Sequence, residues 1–259
     1  VRLPTWYEVQ KITIPFLHEA MKTMDDNPLD LIVANILHRA ALLFSNGTPD
    51  SDLEDSFMHN FIATLFEDIF MLDTILESKW ANGQLSGKRK CDDGTHFKPD
   101  YVIFITQRSH RLDLSCAEAK SPINNRIIFP KSDLVKLGQE MRWMLNKLVR
   151  EGVGKPVVGG ILVTGFQTQT YKMELIDIGV YRMVELSKTL FFRNIHELTL
   201  IPTIVSNLLQ LKHVILTTAK KANDRLCSKS KGIPPRHDPP VSWLRDTDID
   251  LVKRQKTKE

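Results

Sequence analysis

Tyr101-Val102-Ile103-Phe104-Ile105 and Leu112 to Ala119 are two β-rich runs parted only by a short polar break around Gln107-Arg108-Ser109-His110. Two strand-length runs so close in sequence pair most simply as an antiparallel hairpin. On either side the apolar spacing reverts to three and four. From about Ser51 to Trp80, Phe57, Phe61, Leu65, Ile69, Leu72 and Leu76 form one stripe of a long amphipathic helix that Ser51 or Asp52 could cap. After the hairpin, Ser132 and Asp133 offer an N-cap, and Leu134, Leu137, Met141, Met144, Leu145 and Leu148 continue at helical spacing until Gly152 and Gly154. A hairpin held between two helices is the start of a layered α/β fold.

The remaining chain fits that frame. Residues 4 to 46 read as two or three helices, broken at Asp25-Asp26-Asn27-Pro28 and ended by Ser45-Asn46-Gly47-Thr48-Pro49. The polar connection NGQLSGKRKCDDGTHFK reads mostly as turn, with room for a short strand. Pro156 to Gly165, Thr170 to Ile176 and Val180 to Leu186 are three further strand-like runs. Residues 197 to 221 then read as a closing helix interrupted early by Pro202, and from about Ala222 charge and proline predict a flexible basic tail. The expected organisation is an N-terminal helical extension (1–50), an α/β domain (51–221) and the tail (222–259).

Composition removes several classes of function. No apolar run reaches the roughly 18 residues of a membrane span, and the first residues lack the layout of a secretory signal, so the chain is expected to be intracellular without a membrane partner. Cys91, Cys116 and Cys227 are odd in number and contain no CxxC pair, which argues against a disulfide framework or a thiolate zinc site. There is neither a GxxxxGK loop nor a GxGxxG after a strand. Net charge is +4 with pI near 8.9, and the excess is concentrated from Lys212 to Lys231 and in the end LVKRQKTKE. Such a distribution suits a polyanionic partner or a nuclear address, and equally a solvated tail.

Chemistry is concentrated at one end of the hairpin. Pro99-Asp100 begins the first strand, and Glu118-Ala119-Lys120 ends the second. Glu118 and Lys120 are two residues apart and share a face, while antiparallel pairing brings Asp100 to the same end of the sheet. Two carboxylates suit hard-oxygen ligation of Mg²⁺ or Mn²⁺, which polarises a phosphate and acidifies water. The lysine could neutralise charge on the pentacovalent phosphate or help deprotonate the nucleophile.

Pro99-Asp100, seventeen intervening residues and Glu118-Ala119-Lys120 resemble the signature of the PD-(D/E)XK nuclease superfamily. The resemblance covers roughly residues 50 to 186. It implies a restriction-endonuclease-like αβββαβ core: a helix over Leu53 to Trp80, a three-stranded meander in the 84 to 120 region, a helix over Lys131 to Arg150, and a strand over Val157 to Gly165. The implied activity is metal-dependent hydrolysis of nucleic acid, DNA ahead of RNA, with Asp100 and Glu118 as Mg²⁺ or Mn²⁺ ligands and Lys120 assisting. A catalytically silent nuclease fold that binds nucleic acid or a protein is the alternative. The chain also resembles uncharacterised nuclease-like proteins of early-diverging fungi in pairing an acid at the helix start, Glu54, with a later Phe66-Glu67. Many family members carry an acid on the first helix; at about 100° per residue Glu54 lies within the apolar stripe and Glu67 nearly opposite, which favours Glu54 as the added catalytic acid.

Gln139 and Trp143 resemble the QxxxY element of the exonuclease branch, with Trp in place of Tyr. Lys136, one turn earlier, could reach a phosphate from the same face. Lys88, Arg89, Arg108 and Arg111 flank the strands and are further candidates for backbone contacts. Endo- or exonucleolytic action and oligomeric state, a homodimer included, are not set by these residues.

Overall fold

The computed structural model describes residues 2–47, 49–80, 85–86, 97–107, 109–123 and 130–245, without the side chains of 130–132. The sequence's first expectation holds: β2 (Tyr101–Gln107) and β3 (His110–Lys120) form an antiparallel hairpin, closed by the pair Gln107 and His110. Ser109, with φ of 66°, supplies the left-handed residue that so tight a turn requires. Eight consecutive residues of β3, Leu112 to Ala119, are buried, the signature of a strand covered on both faces.

β1 (Glu77–Trp80) pairs antiparallel with β2 on the outer side. β4 (Val157–Thr164) pairs parallel with β3, and β5 (Gln167–Asp177) and β6 (Val180–Leu190) continue antiparallel. The result is an α/β architecture with a mixed six-stranded open sheet in the order β1-β2-β3-β4-β5-β6.

The one parallel pair requires a crossover, and α5 (Pro130–Arg150) provides it by packing on β3 and β4. α6 (Ile201–Ser230) covers the opposite face. Neighbouring glycines of β4 establish this: a Cβ on Gly160 would strike Met141 of α5, whereas one on Gly159 would meet Leu211 and Ile215 of α6. Since successive strand residues face opposite sides, the two helices lie on opposite sides of the sheet and approach it where side chains are absent.

The N-terminal residues form α1 (Trp6–Lys22), opened by a Thr5–Glu8 capping box, and α2 (Pro28–Ser45). α2 packs on the helix that follows and on α6, while α1 rests on α2. By length and hydropathy alone, Pro28–Ser45 and Ile195–Ser230 would suffice to cross a membrane; 33% and 44% of their apolar windows are buried inside the protein.

Two expectations need correction. The helix expected to run from Ser51 to Trp80 stops at Phe70, and the last four residues are β1 instead. It consists of α3 (Glu54–Phe57), a π-helical turn (Met58–Ala63) and α4 (Thr64–Phe70). Phe57, Phe61, Leu65 and Ile69 of the expected stripe are buried and Phe66 and Phe70 join them, while Leu72 lies in the turn past the helix end and is exposed. Residues 77–80 accordingly supply the strand that pairs with the outer side of β2, and most of the 81–97 connection lies outside the described residues. Secondly, the closing helix runs on to Ser230, with Ala222 and Leu226 buried along the same stripe as Leu211, Ile215 and Ala219. The chain then returns over the domain. Asp238 C=O accepts from Lys155 N–H, His237 Nδ1 lies 3.0 Å from Val149 O, and Trp243 C=O accepts from Gly179 N–H at 2.7 Å. Residues 246–259, with the basic end LVKRQKTKE, lie outside the described residues.

Aromatic packing fixes β1 to the helix beneath it. Phe66 has ring centroids 5.9 Å from Trp80 in a stacked geometry, 5.3 Å from Tyr101 and 5.9 Å from Phe70. Phe66 is fully buried. Phe66→Ala is therefore expected to lower unfolding free energy by about 3–5 kcal/mol, read by urea denaturation with tryptophan fluorescence; a loss below about 1 kcal/mol would show that this cluster does not hold the edge strand.

Candidate functional site

Tyr101 faces Ala117 in the hairpin register, so the next step along each strand sets Asp100 opposite Glu118. Asp100 N–H donates to Ala117 C=O at 3.0 Å, and Asp100 Oδ2 accepts from Ala119 N–H at 2.8 Å. The first carboxylate is thereby fixed by the backbone of the strand that carries the second. Cβ atoms of directly opposed antiparallel residues are about 4.5–5.5 Å apart. Glu118 is 1% exposed and points to the α5 side, where its Oε2 accepts from Lys136 Nζ at 2.6 Å.

Lys120 completes the strand end. Its Nζ lies 3.2 Å from Glu54 Oε2 and 3.4 Å from Oε1, bringing the first residue of α3 to the last residue of β3. The structure thus gathers Asp100, Glu118, Lys120, Glu54 and Lys136. A cleft of about 350 Å³ opens beside them, lined among others by Glu54, His59, Glu67, Trp80 and Asp100. Glu67, expected to be solvated, is exposed and accepts from Trp80 Nε1 at 3.1 Å on the cleft wall.

The other predicted residues fall elsewhere. Gln139 is exposed on α5, and Trp143, one turn on, is half-buried with its ring centroid 6.1 Å from that of Phe97. Arg111 lies seven residues before Glu118 on β3, about 23 Å along the strand. There it donates to Asp113 Oδ1 at 2.6 Å and covers the Phe104 ring at 4.0 Å, so its charge is spent inside the fold at the far end of the sheet. Lys88, Arg89 and Arg108 lie outside the described residues.

Sequence reasoning missed Glu140. It is 0% exposed, on the same turn-to-turn row of α5 as Lys136, and it lies against Glu118 and Cys116. A signal was present: Leu137, Met141 and Met144 define the buried stripe, and Glu140 interrupts it with a charge. Among the described residues no N–H or O–H donates to either oxygen of Glu140 or to Glu118 Oε1. One proton between the two carboxyls would satisfy both groups.

Electrostatics follow from this burial. Desolvation, reinforced by the charge of Glu118, pushes the Glu140 carboxyl up to about 9. Burial also raises Glu118, against the opposing pull of Lys136, and raises Asp100 against the Ala119 N–H, Lys120 and Lys136. For Lys136 burial works against the charged form, yet the hydrogen bond and charge of Glu118, with Glu140 and Asp100 behind it, outweigh burial and raise its value. Cys116 is held well up as an inert thiol by burial and by the surrounding acids.

Among the described residues no three His, Cys, Asp or Glu side chains already stand as a preformed metal-ligand group. The donor chemistry nevertheless fits a hard divalent cation: Asp100 and Glu118 supply adjoining carboxylates, and the buried Glu118 Oε1 lacks any protein donor. Comparison of the chain with protein-family models, curated proteins and solved structures finds no match.

Glu140 makes stability depend on pH. Its carboxyl titrates near 4.5 when unfolded and near 9 when folded, so between these values the folded state keeps a proton the unfolded state has lost. Stability attributable to this group is therefore complete at low pH and falls as pH rises through that window. Glu140→Gln carries the donor permanently and should remove the dependence. In EDTA, its melting temperature relative to the unaltered protein should rise between about pH 6 and about pH 8.5; a constant difference would mean that Glu140 is ionised in the fold.

Proposed function

We propose that this protein is a metal-dependent nuclease of PD-(D/E)XK type, hydrolysing phosphodiester bonds of nucleic acid, DNA ahead of RNA. The observation that carries the proposal is the placement of Asp100, Glu118 and Lys120 at one end of adjacent strands, beside an open cleft. Element order supports it as well: a helix, a three-stranded antiparallel meander, a helix and a further strand are the elements that the resemblance implies for a nuclease core, and the further strand here pairs parallel with β3.

Asp100 and Glu118 would hold Mg²⁺ or Mn²⁺. When bound, such an ion supplies Lewis-acid polarisation of a phosphate oxygen and a water of lowered pKa. The chain's own residues do the rest. Ala119 N–H holds the Asp100 carboxylate in position, so the two acids keep their geometry before substrate arrives. Lys120 projects from the strand end with a quarter of its side-chain surface exposed, and its ammonium is available to the negative charge that grows on a phosphoryl group in the transition state. Glu54 orients that ammonium from the start of α3, which makes it a positioning residue for Lys120.

Supercoiled plasmid with Mg²⁺ tests the assignment. The unaltered protein should nick or linearise it, and Asp100→Ala and Lys120→Ala should each slow cleavage by about 10²-fold or more. Cleavage that persists unchanged in both variants would defeat the proposal, and binding without cleavage by the unaltered protein would point to a module that only recognises nucleic acid.

A further inference from the structure

Lys136 is the unusual member of the site. Its Nζ stands 2.6 Å from Glu118 Oε2, and it is drawn as well by Glu140 and Asp100, so three acids from two strands and one helix converge on a single ammonium. Glu118 cannot follow a moving partner, because it sits in a fully covered strand with 2% of its side chain exposed. Lys136 can move. Its side chain is 42% exposed and has a flexible four-carbon stem, and α5 carries it at the margin of the acid pocket. Glu140 lies behind it, fully buried, with no N–H or O–H donor on either carboxyl oxygen among the described residues. Those oxygens and Glu118 Oε1 are donor atoms that one ammonium, already engaged on Oε2, leaves unsatisfied.

We propose, building on the nuclease reading, that Lys136 is a resident counter-ion: its ammonium occupies the place on Glu118 that a divalent cation takes, and metal binding releases Lys136 toward a substrate phosphate. The two lysines then have separate tasks. Lys120, paired with Glu54 on the cleft side, stays at the reacting phosphoryl group, and Lys136 alternates between the acids and the nucleic-acid backbone. The competing structural account is that Lys136 permanently anchors α5 to β3; in that case its removal strands a buried charge and gains nothing for metal.

Mn²⁺ titration by calorimetry, without nucleic acid, separates these accounts in the full chain. Lys136→Met and Lys136→Gln should each bind Mn²⁺ about tenfold more tightly than the unaltered protein, which corresponds to about 1.4 kcal/mol of competition removed. In the unaltered protein, acetylation of Lys136 by acetic anhydride, followed by mass spectrometry, should increase when Mn²⁺ is added. If the unaltered protein binds Mn²⁺ through Glu118 but neither Lys136 variant binds more tightly, the counter-ion proposal fails and the nuclease reading survives. If Mn²⁺ binding is absent, or is unaffected by Glu118→Gln, the metal assignment beneath both is wrong.

Discussion

The parallel pairing of β3 with β4 is the constraint from which the site follows. Antiparallel neighbours can be joined by a tight turn, as β2 and β3 are, but a parallel neighbour obliges the chain to cross back over the sheet. Here that crossover contains α5, which must lie against β3 and β4 and presents one row of side chains to the strand that ends in Glu118, Ala119 and Lys120. Lys136 and Glu140 are a turn apart on that row. The covering helix therefore serves both packing and chemistry: Leu137, Met141 and Met144 close the core, and the residues between them meet the carboxylate of the strand.

Covering both faces of β3 has an electrostatic consequence. A carboxylate in such a strand loses its water, and without a partner it would take up a proton or destabilise the fold. The chain offsets this unequally. Asp100 receives a backbone N–H, Glu118 receives an ammonium, and Glu140 receives neither, which is why its carboxyl is pushed furthest toward the neutral form. A group of buried acids held beside one lysine leaves a demand for positive charge. Such an arrangement is costly if stability were its sole purpose, since apolar residues of similar volume would pack there without the desolvation penalty.

Much of this was legible before any coordinates. Strand-length β-rich runs located β2 to β6, the Asp100, Glu118 and Lys120 end of the hairpin followed from alternation and antiparallel pairing, and Glu54 was picked out by phase. Leu72 and Leu76 happen to continue the spacing of the stripe beyond Phe70, which disguised the four residues of β1, whose alternation is too short to register against it. Glu140 was passed over although the apolar stripe on its helix already pointed to it. Arg111 was placed by nearness in sequence to the hairpin, yet a strand of eleven residues separates its two ends by most of the width of the sheet. The basic tail misled for a different reason: Lys and Arg on α6 obscured a stripe that continues through Ala222 and Leu226, and a charged residue such as Lys212 can be buried once Asp73 faces it.

That last pairing shows why charge alone was a poor guide to function in this chain. Lys212 and Arg111 both belong to the cationic excess that suggests a polyanionic partner, and both are consumed internally by Asp73 and Asp113. Lys136 and Lys120 are paired internally too, by Glu118 and Glu54, but with one difference: their side chains are 42% and 25% exposed, whereas those of Lys212 and Arg111 are 8% and 19% exposed. An ion pair between a fixed, buried acid and a mobile, half-exposed base can open at the cost of its base alone. If the acid then gains a better cation, the opening is driven, and the freed base carries its charge to the surface where a phosphate backbone would lie.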